Sequence, residues 1–272
     1  MEKRVYLSSF CVNFQDYQWL RNCIDHFEDF PVGVEFATWW ELQPDMPQRL
    51  DSQVELFRGI PATIHSPFYE ICNEDGSEGQ KQMTALFDHA CKQYHAFNAT
   101  SMVIHTNEGK FPKEKQELAV RRILELHEKF KAQGIPMTVE NVGYPHKENC
   151  LFPYEDFIKL FDQLPEDIGC LIDTGHAMLN DWDIVKLIET LGPRIRGYHL
   201  NNNNGSGDSH YPCFDSRGYY NEQQMEDVIA AIAKYSPDAD LILEYAPGPH
   251  ITEELMHTEI RRVVSIMEKN LK

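Results

Sequence analysis

The sequence predicts a single α/β domain built as a (β/α)₈ TIM barrel, with its active site at the carboxyl ends of the strands. Three observations support this fold: the chain has 272 residues, short apolar segments alternate eight times with amphipathic ones, and successive strand ends lie roughly 26 to 45 residues apart. Eight such units in a chain of this length favour a closed barrel over an open doubly wound sheet. No Gly-x-Gly-x-x-Gly motif follows the first strand, which disfavours a dinucleotide-binding fold. We therefore expect one domain over residues 1–272.

The predicted strands are short and apolar, as is typical of parallel strands that are buried on both faces. In chain order they are residues 5–8, 32–36, 62–65, 101–105, 136–140, 169–173, 195–199 and 240–244. The amphipathic segments between them predict helices, and in 114–130 one helical face carries Ala119, Ile123, Leu126 and Phe130, while Arg121, Arg122, Glu125 and Glu128 mostly point elsewhere. Gly134 predicts the end of this helix, and Thr252 predicts the N-cap of the last helix.

The balance of charge limits the partners of the protein. The chain carries 25 Lys and Arg residues against 43 Asp and Glu residues, which gives a formal net charge of −18 with histidine neutral. Most of such a surface repels a phosphate backbone, so nucleic acid is an unfavourable partner unless a local basic groove exists. A small polar, carbohydrate-like substrate fits this charge better.

Cysteine usage and hydropathy predict a cytoplasmic protein. The seven cysteines are scattered, their number is odd and no Cys-x-x-Cys pair occurs, which favours reduced thiols. No apolar run approaches the roughly 18 to 20 residues that a membrane span requires. The first residues predict a strand rather than a signal peptide, because no apolar segment follows the charged ones.

Three carboxylates and one imidazole end four consecutive predicted strands. In a closed barrel these ends surround one point, where carboxylates without a nearby Lys or Arg repel one another unless a cation joins them. The donor types suit Mn²⁺, Mg²⁺, Co²⁺, Fe²⁺ or Zn²⁺, and no organic cofactor is expected. These four residues, called the inner set below, are Glu140, Asp173, His199 and Glu244.

A second group of candidate ligands surrounds the inner set. Two end the third and fourth strands, one lies three residues after Asp173 beyond a glycine that lets the chain turn, and two lie in the long loop after the seventh strand. Each can instead contact substrate or serve as an ordinary hydrogen-bonded side chain. If all of them bind metal, more than one ion is implied, since Zn²⁺ takes about four ligands and octahedral ions take about six. This outer set is His65, His105, His176, Asp208 and His210.

Other side chains near the predicted mouth are candidates for substrate contact. Glu35 ends the second strand, and Trp39 and Trp40 follow it, where they can stack on a sugar face or pack within a loop. Arg217 can hold an anionic substrate group. We expect Trp39, together with Tyr69 and Phe214, to be an exposed loop aromatic, which can serve a homodimer contact as easily as a substrate.

The order of these motifs resembles the xylose isomerase-like TIM-barrel superfamily, which holds sugar phosphate isomerase/epimerase-like proteins and the endonuclease IV family. The motifs are strand-end His, His, Glu-Asn, Asp-x-Gly-His, His-Leu-Asn and a final Glu, and they extend from Glu35 to Glu244. Residues 171–177 and 196–210 are the most specific parts. The chain departs from the superfamily after His210, where a glycine-spaced loop is expected, and it lacks the basic surface that grips DNA.

The resemblance implies two alternative uses of the ligand sets. In the isomerase and epimerase branch, the inner set holds one divalent metal, Glu140 and Glu244 act as acid/base groups, and the position of His176 contacts substrate. In the endonuclease branch, the inner and outer sets together hold three zinc ions. Mainly because of the charge, we expect an isomerase or epimerase of a sugar, sugar phosphate or keto-polyol, in which His65 and His105 also contact substrate. The alternatives are an endonuclease IV-like di- or trinuclear zinc phosphoesterase and a non-catalytic barrel that binds a metal or metabolite.

Overall fold

The protein folds as a closed barrel of eight parallel strands. The computed structural model describes residues 5–27, 30–146 and 149–271. Each strand pairs with its neighbours in chain order, and the last strand pairs with the first. The strands are β1 (Val5–Ser8), β2 (Val32–Ala37), β3 (Ala62–His65), β4 (Met102–His105), β5 (Met137–Glu140), β6 (Gly169–Asp173), β7 (Ile195–Leu200) and β8 (Asp240–Leu243). The helices of the described residues are α1 (Tyr17–Asp25), α2 (Met46–Asp51), α3 (Glu78–Ala96), α4 (Gln116–Lys131), α5 (Tyr154–Gln163), α6 (Thr174–Leu179), α7 (Ile184–Leu191), α8 (Glu222–Tyr235) and α9 (Glu253–Asn270).

The predicted fold class is confirmed, and the strand boundaries differ from the predicted ones by no more than one residue at each end. Glu244, predicted to end β8, lies one residue beyond it. Its backbone N–H still donates to the carbonyl of Leu200 at 3.3 Å, so the chain keeps the direction of the strand. The predicted strand end is thus right in position although it lies outside the regular ladder.

Side chains alternate between the two faces of the barrel wall, with a period of two residues. Residues such as Val34, Ile104 and Ile172 point outwards into the main core between the strands and the helices. The inward residues form layers. One layer, called the lower layer below, is a separate apolar cluster of Tyr6, Val103, Leu171 and Ile242. Two residues further along the same strands lie Ser8, His105, Asp173 and Glu244, which belong to the layer called the upper layer.

The helix predictions hold with one correction. Ala119, Ile123, Leu126 and Phe130 of α4 are buried as predicted. Arg122 was expected on the outer face, but its side chain is only 1% exposed, because its guanidinium is held by Asp75 and Glu125 and by the carbonyl of Asn73. The hydrogen bonds of this long side chain therefore outweigh the cost of burying its charge.

The predicted helix termini are confirmed. Gly134 follows α4 with φ +70°, the left-handed conformation that ends many helices. The Thr252 side chain accepts a hydrogen bond from the backbone N–H of Leu255 and so caps α9.

The state of the cysteines and the character of the helices bear on the predictions about thiols and membranes. All seven cysteines are buried free thiols. Among the residues that the structure describes, no helix is both long enough and apolar enough to cross a membrane.

Candidate metal centre

The upper layer lies at the floor of a cavity of about 340 Å³ at the carboxyl ends of the strands. The structure brings all nine residues of the inner and outer sets together there, in three groups. The first group is the inner set. The second, called the β3–β5 cluster, is His65, His105 and Glu140, so it shares Glu140 with the inner set. The third, called the loop cluster, is His176, Asp208 and His210: the two imidazoles lie close enough to Asp173 to share an ion with it, and Asp208 pairs with both.

The inner set converges on one nitrogen of His199. Its Nδ1 lies 3.0 Å from Glu140 Oε1, 3.2 Å from Glu244 Oε2 and 3.9 Å from Asp173 Oδ2. The other ring nitrogen, Nε2, lies 2.8 Å from Glu35 Oε1. When Nε2–H donates to Glu35, the Nδ1 lone pair faces three carboxylates, which is the arrangement of a ligand imidazole with its orienting carboxylate.

The β3–β5 cluster contains three acceptors that face one another. His65 Nδ1–H donates to the carbonyl of Ser66 at 2.9 Å, and His105 Nδ1–H donates to Glu108. The two Nε2 atoms are 3.1 Å apart, and each lies 3.3 Å from Glu140 Oε2; in the neutral imidazoles both carry lone pairs. No hydrogen-bond partner within the described chain satisfies this buried oxygen. A cation held by the three residues would satisfy all three atoms.

The loop cluster repeats this arrangement. His176 Nδ1–H donates to the carbonyl of Asn141 at 2.9 Å, and His210 Nδ1–H donates to the carbonyl of Glu244 at 3.1 Å. The two Nε2 atoms then face the carboxylate of Asp208, at 3.4 Å and 3.1 Å. His210 has φ +40°, an uncommon conformation for a residue with a side chain, so the backbone is strained where it presents this ring.

All five imidazoles of the two sets therefore share one pattern. One ring nitrogen is fixed by an oxygen acceptor, and the other faces one or more candidate ligand atoms. Ligand histidines in metal sites have this arrangement, because the second hydrogen bond fixes the tautomer and the ring orientation. The donor set thus fits divalent metal ions, and imidazole with carboxylate suits Zn²⁺, Mn²⁺, Fe²⁺ or Co²⁺.

Protons and metal ions compete for these nitrogens. Burial alone would lower the pKa of His105, but Glu108 and Glu140 raise that pKa to about 10. Burial likewise opposes protonation of His210, yet Asp208 and Glu244 raise its pKa to about 9. The buried carboxylates are thus stabilised by nearby positive charge, which imidazolium groups or metal ions can supply. Because metal binding needs the neutral imidazole, it releases these protons.

Two asparagines fix Asp173 in place. Asn141 accepts from the backbone N–H of Asp173 at 2.9 Å and donates to its carbonyl at 3.1 Å, and Asn201 donates to Asp173 Oδ2 at 2.8 Å. The Oδ1 atom of Asp173 caps α6 by accepting from the backbone N–H of His176 at 2.6 Å. Gly175 was expected to let the chain turn, but its φ is not left-handed. It is required instead because a Cβ there would lie 1.9 Å from Asn201 Oδ1.

The structure places the other predicted contact residues differently. Glu35 is fully buried behind His199 and binds that imidazole, with Oε2 accepting from Thr63 at 3.2 Å. Arg217 does not line the cavity, since its guanidinium pairs with Asp215 at 2.5 Å and lies over the ring of Tyr211.

The expectation of exposed loop aromatics is wrong for Trp39. It is buried, with its ring 5.5 Å from that of Tyr69. Tyr69 and Phe214 are partly buried and pack against the main core, and the guanidinium of Arg262 lies 3.7 Å from the centre of the Phe214 ring. Trp40, rather than Trp39, lines the cavity.

Four cavity residues were missed from the sequence: Phe10, Phe14, Phe68 and Glu108. Three of them lie within three residues of a strand end. In a βα-barrel, the residues just after each strand build the mouth of the site, so this proximity was the available signal. Phenylalanine does not bind metal ions, so three of these residues gave no signal of a metal site. Glu108 is the exception, because its carboxylate contacts the ring of the candidate ligand His105.

A family model described as xylose isomerase-like TIM barrel matches residues 25–261. The chain belongs to this family. No curated protein matches the chain in sequence. Several solved structures share the barrel over nearly the whole length of this chain.

Three solved structures illustrate the range of similar proteins. A D-tagatose 3-epimerase-like protein superposes with a TM-score of 0.75 at 15% identity, covering 99% of this chain and 100% of that one. The IolI protein with a bound zinc atom gives 0.74 at 16% identity, covering 98% and 99%. Endonuclease IV from Thermus thermophilus gives 0.58 at 14% identity, also covering 98% and 99%. At these identities the similarity establishes the fold, and the reaction has to be argued from the site.

Proposed function

We propose that the chain is a divalent-metal-dependent hydrolase that holds two or three ions and cleaves a phosphate ester of a small molecule. The observation that carries this proposal is the grouping of the nine candidate ligands into three clusters, each with a lone-pair nitrogen facing carboxylate oxygen. One ion cannot use nine ligands. Bound divalent ions supply Lewis acidity towards phosphoryl oxygens and lower the pKa of water.

The residues of the chain have separable tasks in this proposal. Glu140 joins two clusters, because Oε1 faces His199 and Oε2 faces the two imidazoles of the β3–β5 cluster. Glu35 and Glu108 orient the rings of His199 and His105 through their second nitrogens. Glu140 would thereby hold two ions close together, and these would supply Lewis acidity to one phosphate group.

The size and charge of the protein favour a small substrate. The cavity of about 340 Å³ is at the lower end of the range for small-molecule sites. The net charge of −18 disfavours a long polyanion such as DNA. Two similar proteins support the chemistry by analogy, since one carries zinc and another is an endonuclease.

The proposal is tested by turnover of bis(p-nitrophenyl) phosphate and p-nitrophenyl phosphate by protein reloaded with Zn²⁺ or Mn²⁺ after chelation. We expect p-nitrophenol release that is lost on chelation and restored by metal, and incorporation of one ¹⁸O from labelled water into the phosphate product. The loop-cluster variant His210→Asn should lose most of this activity. The matched control His89→Asn, in a partly exposed histidine of α3 that contacts Asp51, should retain it. Absence of turnover in the metal-saturated protein would contradict the proposal.

A second candidate is an isomerase or epimerase of a small sugar or keto-polyol. The observation that favours it is a divergence between two carboxylates of the inner set. Burial raises the pKa of Glu244 above its usual value. Burial also opposes ionisation of Glu140, but His199 and His105 hold the pKa of Glu140 well below its usual value. Such divergence is typical of an acid/base pair, and here Glu140 would remove a proton that Glu244 returns.

This second candidate predicts solvent exchange. Incubation of the metal-loaded protein with ketohexoses or keto-polyols in D₂O should place deuterium on the carbon next to the carbonyl, and Glu140→Gln and Glu244→Gln should abolish the exchange while metal is retained. Exchange without phosphoesterase turnover would replace the first candidate by the second. Lack of exchange with every sugar tested would remove the second.

A further inference from the structure

One side of the cavity is aromatic. Phe10 and Phe14 follow β1, Trp40 follows β2 and Phe68 follows β3, and we call these four side chains the aromatic wall. The Phe10 and Phe14 rings are 5.6 Å apart, and the rings of Trp40 and Phe68 lie 6.3 Å and 6.4 Å from that of Phe14. The four rings thus form one continuous surface, in which Phe10, Trp40 and Phe68 are only partly buried.

The aromatic wall adjoins two of the three ligand clusters. The Phe68 ring lies 4.5 Å from that of His65 in the β3–β5 cluster. The Phe10 ring lies 5.3 Å from that of His210 in the loop cluster. A phosphate group held at the clusters therefore has the wall beside it, within reach of the rest of the substrate.

The backbone of Phe14, in the aromatic wall, is strained. Phe14 has φ +56° and is almost fully buried, and a bulky side chain seldom adopts this left-handed conformation. The strained turn directs the ring into the cluster that supports Phe10, Trp40 and Phe68.

The charged residues of the cavity lining limit which substrate groups can bind against the aromatic wall. Besides the aromatic wall and four imidazoles, the described residues that line the cavity are the carboxylates Glu108, Asp208 and Glu244, and no Lys or Arg is among them. Nothing in this lining neutralises an anionic group at the far end of a substrate. Aromatic faces attract organic cations.

We propose that the substrate of this site is a phosphate ester whose other end is an alkylammonium group, held against the aromatic wall. The inference rests on the proposed phosphoesterase function for the position of the phosphate. It adds the class of the remaining part of the substrate: a cationic, choline-like head rather than a second phosphate, a carboxylate or an uncharged chain.

Calorimetric titration of the metal-loaded protein with two ligands of the same shape tests the cation directly. The ligands are 3-(trimethylammonio)propylphosphonate and 4,4-dimethylpentylphosphonate, in which a methylene group replaces the ester oxygen, so that neither is hydrolysed. The first carries a quaternary nitrogen where the second carries a carbon, so their phosphonate groups contact the site alike. We expect the cationic phosphonate to bind about 2- to 30-fold more tightly, the range that corresponds to cation–π contacts. Equal dissociation constants, or tighter binding of the uncharged ligand, would overturn the proposal.

The assignment to the wall is tested by Trp40→Leu, with Trp40→Met as a second variant. Both should bring the ratio of the two dissociation constants towards one. The control Tyr219→Leu, in an exposed tyrosine outside the cavity lining, should keep the wild-type ratio. Circular dichroism melting checks that the variants are folded. A wild-type ratio in folded Trp40 variants would overturn the assignment.

Hydrolysis separates this inference from the function on which it rests. The p-nitrophenyl phosphodiesters of choline and of 3,3-dimethylbutanol should both be cleaved, the choline diester with the larger kcat/KM. Equal cleavage of the two would overturn the inference and leave the phosphoesterase standing. Selective binding of the cationic phosphonate without cleavage of any phosphate ester would overturn the phosphoesterase and leave the cation site standing.

Discussion

The lower and upper layers inside the barrel are built from the same strands, yet they are opposite in character. On β4 the lower layer has Val103 and the upper layer has His105, and on β6 they have Leu171 and Asp173. Seven of the eight side chains that make up these layers on β1, β4, β6 and β8 are buried, and only His105 is partly exposed. Burial alone therefore does not distinguish the apolar core of the barrel from the candidate metal centre. The two layers differ in their contacts. Side chains of the lower layer pack against other apolar side chains, whereas the ligand atoms of the upper layer face other hydrogen-bond acceptors.

This difference predicts opposite responses to mutation and to metal. The lower layer contributes to stability whatever is bound, because apolar packing is lost when a side chain is shortened. The upper layer costs stability until protons or metal ions balance its carboxylates. The following predictions test that contrast, beginning with the largest effect.

Glu140→Gln should have the largest effect on function. The amide keeps the shape of the side chain but removes the charge that the inner set shares with the β3–β5 cluster. We expect the loss of at least one bound ion and a fall in metal-dependent activity of more than about 100-fold, since even the outer partners of metal ligands contribute 10- to 100-fold. Elemental analysis and turnover measure both. A variant with unchanged metal content would show that Glu140 is not a ligand.

Leu171→Ala should lower stability without changing the metal content. Its side chain is 1% exposed and packs in the lower layer. Such truncations cost about 2–5 kcal/mol, so the free energy of unfolding should fall by this amount. Guanidinium chloride unfolding followed by circular dichroism measures the change. If metal content falls as well while the variant remains folded, the two layers are not independent.

The stability of chelated protein should fall as pH rises from 7 to 10. Because the pKa values of His105 and His210 in the folded chain are raised to about 10 and about 9, their stabilising protonation is complete below the unfolded pKa of about 6.5 and is lost as pH passes through the folded values. The expected loss is of the order of a few kcal/mol. Saturating zinc should reduce this dependence, because bound metal replaces the protons. Stability that is constant or rises over this range in chelated protein would contradict the charge balance inferred for the upper layer.

Glu35→Gln should weaken metal binding about 10- to 100-fold, because an amide orients the His199 ring less strongly than a carboxylate does. Competition with a chromophoric chelator measures the affinity. The matched control is Glu259→Gln, which changes a buried carboxyl of α9 that accepts from Tyr245 at 2.8 Å. If both variants bind metal like the wild type, Glu35 is not a positioning residue for His199.

Arg217→Ala should have the smallest effect. The side chain is half exposed and paired with Asp215 outside the cavity lining. We expect KM for a phosphate ester to change by less than about twofold, as is usual for exposed ion pairs. A large rise in KM would restore the prediction from sequence that Arg217 holds an anionic group of the substrate.

The sequence predicted the barrel and the strand ends well because both depend on local patterns. Apolar segments of four to six residues and their spacing indicate parallel strands, and a charged residue at the end of an apolar strand, such as Asp173, is conspicuous. The same reasoning assigned Glu35 to substrate, because sequence position cannot tell that its carboxylate faces the far side of His199.

The loops were predicted less well for a related reason. Whether Trp39 or Trp40 faces the cavity depends on how the loop after β2 packs, and neighbouring residues in a loop have no fixed alternation. Phe14 enters the cavity lining through a left-handed conformation that its residue type disfavours, so local propensity indicates the opposite. Gly175 was recognised as important for the wrong reason, since its role depends on Asn201, which is distant in sequence.

The number of metal ions bound per chain tests the central claim most directly. Protein saturated with zinc, separated from free metal by gel filtration and analysed for zinc and sulfur, gives the ratio without any assumption about substrate. The three clusters predict two or three ions per chain. A single ion at saturation would contradict the multinuclear site and the proposed hydrolysis of phosphate esters.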